Sequence, residues 1–438
     1  MTNADDTVFL PIAVTYLRAS GTSGTAEGEL IITPASAERL RGYNLYWGSE
    51  SENKLANFTK IAAIESDGSR EIRYQFPDGL LIPEGAAKLL LFPLIYFPNT
   101  KTFYEADCFV SLEVGAEPFR SKKEKRCTFV VVTDLHITAD PAHAHNVHLT
   151  NCFSEIVRLA PEALGIMCAG DTTNHGYPEE WERFTALWEK AIQTGLPPMY
   201  FAVGNHDIHF YKYQNELGFQ TDFETQKATF LRYTHTDSAD FYHYNMIEGR
   251  YFIFLGPDRT IDPGECDCYV HISEKQQKWL TALLEEAWRQ NAPAYLFLHQ
   301  PLRETVSGSL CSLNPSIQSW NGVIEDAALR AITDRFPNLV MFTGHTHWKF
   351  DSIQPVLPGR GKTCSYVNAA SVAYLWTDKN GTLENENDSP ELGSEGLFVD
   401  EYDDFILLRG YDFAAGKWSA SAQFLLETPT ANNNGQTY

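Results

Sequence analysis

Five apolar runs, each stopping at a residue able to bind a cation, constrain this chain more than any other feature. TFVVVT ends in Asp134-Leu135-His136, LGIMCA in Gly170-Asp171, PMYFAV in Gly204-Asn205-His206-Asp207, AYLFL in His299, and LVMFT in Gly344-His345-Thr346-His347. Uninterrupted apolar runs suit strands buried on both faces, and in open α/β sheets the chemistry gathers just past the carboxyl ends of such strands. One such ending says little, because a histidine after a strand commonly serves packing or a hydrogen bond. Five in series, with Gly before three of them to permit tight turns, predict a layered α/β domain whose strand ends converge on one polar site.

The residue types set the chemistry of that site. Two divalent cations a few ångström apart need a bridging carboxylate and several nitrogen and oxygen donors. Asp171 is the natural bridge, and Asp134 with His136, like His345 with His347, can turn inward from one strand end. The set contains no Cys, which argues against soft-metal and iron–sulfur centres and for manganese, iron or zinc. Charge points the same way: 57 acidic against 34 basic side chains leave a formal −23, which argues against an extended nucleic-acid or anionic-membrane surface. An anionic substrate must then be held locally, by metal.

Around this core the pattern divides the chain. Residues 1–118 read as short strands separated by turn residues, the pattern of an all-β sandwich of fibronectin III or immunoglobulin type. That stretch holds no acid, base or ligand cluster. A basic linker, 119–126, leads into the α/β domain, 127–430, with a tail at 431–438. Within the domain, 178–193, 273–291 and 324–336 read as amphipathic helices, the second opened by a capping-box pattern at Ser273 and Gln276. His143, His145 and His148 fall where a solvated loop opening a helix is expected. The Gly- and Ser-rich stretch after His299 is either a specificity loop or a surface insertion packed on the sandwich. Eight cysteines are too few for a disulfide framework. No run approaches the roughly 20 apolar residues of a membrane helix, and MTNADDTVFLPIAV lacks a signal-peptide pattern. The expected location is the cytoplasm, with a secreted chain that has lost its leader as the alternative.

Over roughly residues 127 to 375 the sequence resembles the calcineurin-like metallophosphoesterases, whose series D-x-H, GD, GNH[D/E], H and GHxH occurs here complete and in order. The resemblance implies a four-layer α/β/β/α catalytic domain with two divalent metal ions. Asp134, His136, Asp171 and His347 would hold one ion, and Asp171, Asn205, His299 and His345 the other. His206 would be the acid assisting the leaving group, oriented by Asp207. VVVTDLHI, AGDTTNHGYPEEWERF and YFAVGNHD look more like the bacterial cyclic-nucleotide phosphodiesterase-like branch than purple acid phosphatases, which carry Gly at the position of His136 and a Tyr ligand at that of Asn174. The activity implied is hydrolysis of a small organic phosphodiester or monoester, cyclic nucleotides included. Asn174, His175, His209, Arg303 and Trp320 are the candidates for substrate contact. The competing expectation is a binding protein whose sandwich recognises a partner or glycan, with hydrolysis secondary.

Overall fold

The computed structural model describes residues 6–18, 24–121, 123–208, 222–259, 268–312, 322–379, 382–385 and 392–428. The chain forms two compact units. One comprises Met1–Glu124, Leu408–Gly410 and Lys417–Leu425; the other comprises Lys125–Leu407, Tyr411–Gly416 and Leu426–Tyr438.

Among the described residues of 1–124, the first unit has the strands β1 (Ala13–Arg18), β2 (Gly28–Thr33), β3 (Leu40–Gly48), β4 (Ala62–Glu65), β5 (Ile72–Gln75), β6 (Lys88–Phe97), β7 (Thr102–Glu105) and β8 (Val110–Glu113). They form two antiparallel sheets, β1-β2-β5 and β4-β3-β6-β7, with β8 also pairing to β6. β3 and β6 are the longest pair and bury Tyr43, Leu45, Trp47, Leu89 and Leu91.

The second unit is mixed α/β. Its strands are β9 (Cys127–Val132), β10 (Ile166–Cys168), β11 (Met199–Phe201), β12 (His243–Ile247), β13 (Arg250–Phe254), β14 (Ala294–Phe297), β15 (Leu339–Thr343), β16 (Val356–Leu357), β17 (Ser365–Asn368), β18 (Trp376–Lys379), β19 (Thr382–Asn385) and β20 (Glu395–Glu401). Two further strands, β21 (Phe405–Asp412) and β22 (Lys417–Glu427), follow. One sheet places β11, β10, β9 and β20 side by side, the first three parallel and β20 antiparallel. The other runs β12-β13-β14-β15-β17-β16, parallel from β13 through β17.

Alternation along the strands explains how the two sheets stack. Phe252, Tyr295 and Phe342 turn toward Phe129 of β9, with ring centroids 5.2, 4.6 and 6.1 Å away. Their neighbours Ile253, Leu296 and Met341 turn the other way, into a cluster with Leu280, Leu284 and Leu329. Those last three belong to helices α4 (Glu274–Arg289) and α5 (Asp326–Thr333), after α1 (Ala144–Leu159), α2 (Pro178–Ile192) and α3 (Phe223–Tyr233). Phe184 and Trp188 of α2 pack on Phe201 of β11. The layers are therefore helix, sheet, sheet, helix, as expected.

One polar clamp crosses the interface between the sheets. Arg250 donates from Nε and Nη2 to both carboxylate oxygens of Glu401, at 2.9 and 2.8 Å, and the Tyr295 hydroxyl donates to Glu401 at 2.5 Å. At the start of α4, Ser273 caps the Gln276 amide. The Gln276 side chain does not complete the box; it donates instead to Gly256 and Asp258. Along α4, Leu280, Leu284 and Ala287 are buried, whereas Trp288 is exposed.

Candidate metal centre

The five chemical endings lie where the topology requires. β9, β10 and β11 are adjacent and parallel, as are β14 and β15, so their carboxyl ends line one edge of each sheet. The ends are tied together: Asp134 donates its amide to the Gly170 carbonyl, His136 to that of Asp171, and Gly344 to that of His299. Asp134, His136, Asp171, His345 and His347 all have positive φ, from 41° to 67°. That left-handed conformation costs a non-glycine residue about 1–3 kcal/mol.

Two groups of potential ligands result, each with all its donor atoms within 4.8 Å of one another: Asp134, His136, Asp171 and His347, and Asp171, His299 and His345. Asp171 belongs to both, the geometry of a bridge. All six are buried. The tightest approaches are His347 Nε2 to Asp134 Oδ1 at 2.9 Å, His299 Nε2 to Asp171 Oδ2 at 3.0 Å, and His136 Nε2 to His347 Nε2 at 3.2 Å.

The tautomers decide whether a cation fits. His299 Nδ1 donates to the Ala169 carbonyl at 3.0 Å, His347 Nδ1 to that of Tyr374 at 3.2 Å, and His136 Nδ1 to Asn174 Oδ1 at 3.2 Å. With Nδ1 committed in this way, each ring turns Nε2 inward, toward a carboxylate oxygen or another ring nitrogen. Such a set is repulsive without positive charge between its members, and it is the set a divalent metal binds. Titration behaviour agrees. Burial alone would raise Asp134 and Asp171, but His347 and His299, respectively, lead the groups that hold both well below the usual carboxylate range. Burial, with the neighbouring His206, pushes His136 down to about 4; burial, with His299, pushes His345 down to about 3. Burial opposes charge on His299 too, yet facing Asp171 and Asp134 raises it to about 9, so a proton settles where a cation would. The buried cluster points to a dinuclear divalent metal centre.

The glycines serve the site differently from the sequence expectation. Only Gly170, at φ 108°, turns the chain in the left-handed region. Gly204 and Gly344 are required because a Cβ on either would collide with Asp171 or with Thr133 and Asp134.

Asn205 is buried after β11, and the amide of the next residue, His206, donates to Asp171 Oδ1 at 2.8 Å. The expected pairing of Asp207 with the His206 ring is not formed. Asp207 is completely buried and accepts from the amides of Thr173 and Gly204, both at 2.9 Å, and from the Thr173 hydroxyl. Burial, then the charge of Asp171, raises its pKa. His206 Nδ1 instead donates to the Asn174 carbonyl at 2.6 Å. His175 stacks on Tyr177 and lies 3.0 Å from Glu180. Arg303 is exposed, with main-chain bonds to Asp326 and Arg330. His209 and Trp320 lie outside the described residues.

Other residues at the site escaped the sequence reading. His145 and His148 are buried on α1 instead of solvated, and donate to the His136 and Ala373 carbonyls; their three-residue spacing on a helix was the available signal. Tyr374 lays its ring 4.2 Å from that of His347. The stretch after His299 is buried from Thr305 to Leu310, and Ser307 bonds the Ile353 and Gln354 carbonyls. This part is packed interior, not a surface insertion.

A sequence model of the calcineurin-like phosphoesterase family matches residues 127–349. No curated protein matches the sequence at a significant level. Among solved structures, a dimetal phosphatase from Danio rerio (LOC 393393) is 11% identical, with a TM-score of 0.45 over 69% of this chain and 99% of that one. The purple acid phosphatase PPD1 from yellow lupin (Lupinus luteus) seeds is 13% identical, with a TM-score of 0.48 over 95% of this chain and 75% of that one.

Proposed function

The chain belongs to the calcineurin-like phosphoesterase family, and from that premise we propose that it is a two-metal hydrolase of small organic phosphodiesters or monoesters, cyclic nucleotides among them. The observation that carries the reading is the pair of buried ligand groups sharing Asp171. In this reading Asp134, His136, Asp171 and His347 hold one cation, and Asp171, Asn205, His299 and His345 the other. Nitrogen and oxygen donors suit manganese, iron or zinc. A bound pair supplies an activated water for in-line attack on phosphorus and neutralises the non-bridging oxygens.

The remaining tasks fall to side chains. His206 is oriented by its Nδ1 bond to the Asn174 carbonyl, and in this reading its ring carries a proton to the departing oxygen. General acids in this role contribute factors of about 10²–10⁴. Burial of the ligands keeps bulk water from competing for them. The acidity of the chain, −23 overall, favours substrates small enough to be held by the metals alone.

The test is hydrolysis of bis(p-nitrophenyl) phosphate and of p-nitrophenyl phosphate after metal is stripped and Mn²⁺, Fe²⁺, Zn²⁺ or Mg²⁺ is returned singly. Metal-dependent turnover that disappears in Asp171→Asn is expected. No turnover of either ester with any of the four ions, in folded protein, would reject the proposal.

A further inference from the structure

We infer that Asn174 is a positioning residue serving both halves of the site, through its side chain for His136 and through its main chain for His206. The inference rests on the two-metal reading above. Asn174 Oδ1 lies 3.2 Å from His136 Nδ1, and the Asn174 carbonyl oxygen 2.6 Å from His206 Nδ1. The two rings meet edge to face, 4.6 Å apart at 79°. The peptide that makes both contacts is itself held, since the Asn174 amide donates to the Ile137 carbonyl and the adjacent Thr173 is tied to Asp207.

The direction of the amide matters. With Oδ1 toward His136, the Nδ1 proton is donated outward and the Nε2 lone pair faces Asp171 and His347, the tautomer a ligand needs. With the amide reversed, Nδ2 would donate to Nδ1, and the ring proton would move to Nε2. There it would point at His347 Nε2, 3.2 Å away, and block coordination. A metal-binding His136 therefore requires an acceptor at position 174. His136 has no other side-chain acceptor at Nδ1 among the described residues.

Because the two contacts use different atoms, they can be separated by mutation. Asn174→Leu removes the acceptor for His136 and keeps the carbonyl that holds His206; Asn174→Asp keeps both. Partners of this kind are worth about 10–100-fold in metal affinity. We expect Asn174→Leu to bind one of the two ions about 10–100-fold more weakly, and to retain about one ion per chain after gel filtration. Asn174→Asp should stay within about threefold of the parent.

Metal content by mass spectrometry and competition with a chelator read this without recourse to turnover, and near-ultraviolet circular dichroism verifies the fold. Should Asn174→Leu fail to fold, Asn174→Ala is the second variant, with the same expected direction. A parent that binds two ions while the Leu or Ala variant binds both with unchanged affinity overturns this inference alone. Equal losses in Asn174→Asp and Asn174→Leu also overturn it, since the acceptor would then be irrelevant. A parent that binds no divalent ion overturns the two-metal reading, and this inference with it.

Discussion

Gly204→Ala tests the geometry of the site at its bridge. Gly204 does not lie in the left-handed region, so alanine carries no backbone strain and the effect is purely steric. The added Cβ would sit 2.7 Å from Asp171 Cγ, and closer still to its Oδ1 and main-chain nitrogen. Two of these atoms belong to the carboxylate shared by both ligand groups, and the third is backbone that cannot rotate away. Restoring ordinary contact needs a shift of about 1 Å between the ends of β10 and β11, at a cost of roughly 1–3 kcal/mol in stability. Metal–ligand distances tolerate only about 0.2 Å, and a misplacement of about 1 Å costs about 100-fold in rate. The expected variant is folded, holds fewer than two metal ions, and hydrolyses bis(p-nitrophenyl) phosphate at least about 100-fold more slowly. A Gly204→Ala protein with two ions and turnover within threefold of the parent would refute the placement of Asp171 against Gly204.

Three further outcomes follow from other parts of the molecule. His206→Ala should lose about 10²–10⁴ in turnover with its metal content unchanged; equal turnover would remove His206 from the acid role. Glu401→Leu strands the buried guanidinium of Arg250 and the hydroxyl of Tyr295, at a cost of about 3–5 kcal/mol in chemical unfolding. The combination Arg250→Met, Tyr295→Phe and Glu401→Leu should recover most of it, and a single-variant loss below about 1 kcal/mol would contradict the clamp. His243, stacked on Phe254, is held down to about 4, mainly by burial. Its unfolded form binds the proton first, so the stability present above pH ~6.5 is lost as pH falls toward 4, by up to about 3 kcal/mol. Metal-free His243→Phe should lose less than the parent over that window, and parallel curves would show that His243 takes no part.

What the sequence made legible was local. An apolar run and the Asp, Asn or His that stops it are neighbours in the chain, so strand, edge and candidate ligand could be read together at Asp134, Asp171, His299 and His345. The layered fold follows from the same runs, because strands that are apolar on both faces need cover on both. Contacts between distant segments left no such mark. Arg250 and Glu401 are 151 residues apart, and nothing near either announces the other. Asp207 follows His206 directly, which suggested a pair, but the backbone turns its carboxylate toward Thr173 and Gly204.

The left-handed backbone at five candidate ligands was hidden for a related reason. Local preference opposes φ of 41–67° in Asp and His, so only the surrounding fold can impose it. Together the five cost on the order of 5–15 kcal/mol, comparable to the whole stability of an ordinary domain. Bonds such as His136 to the Asp171 carbonyl and Asp134 to that of Gly170 help the folded chain to bear that cost. The local rule is broken where the ligands gather, as expected of a site in which the fold supports chemistry against propensity.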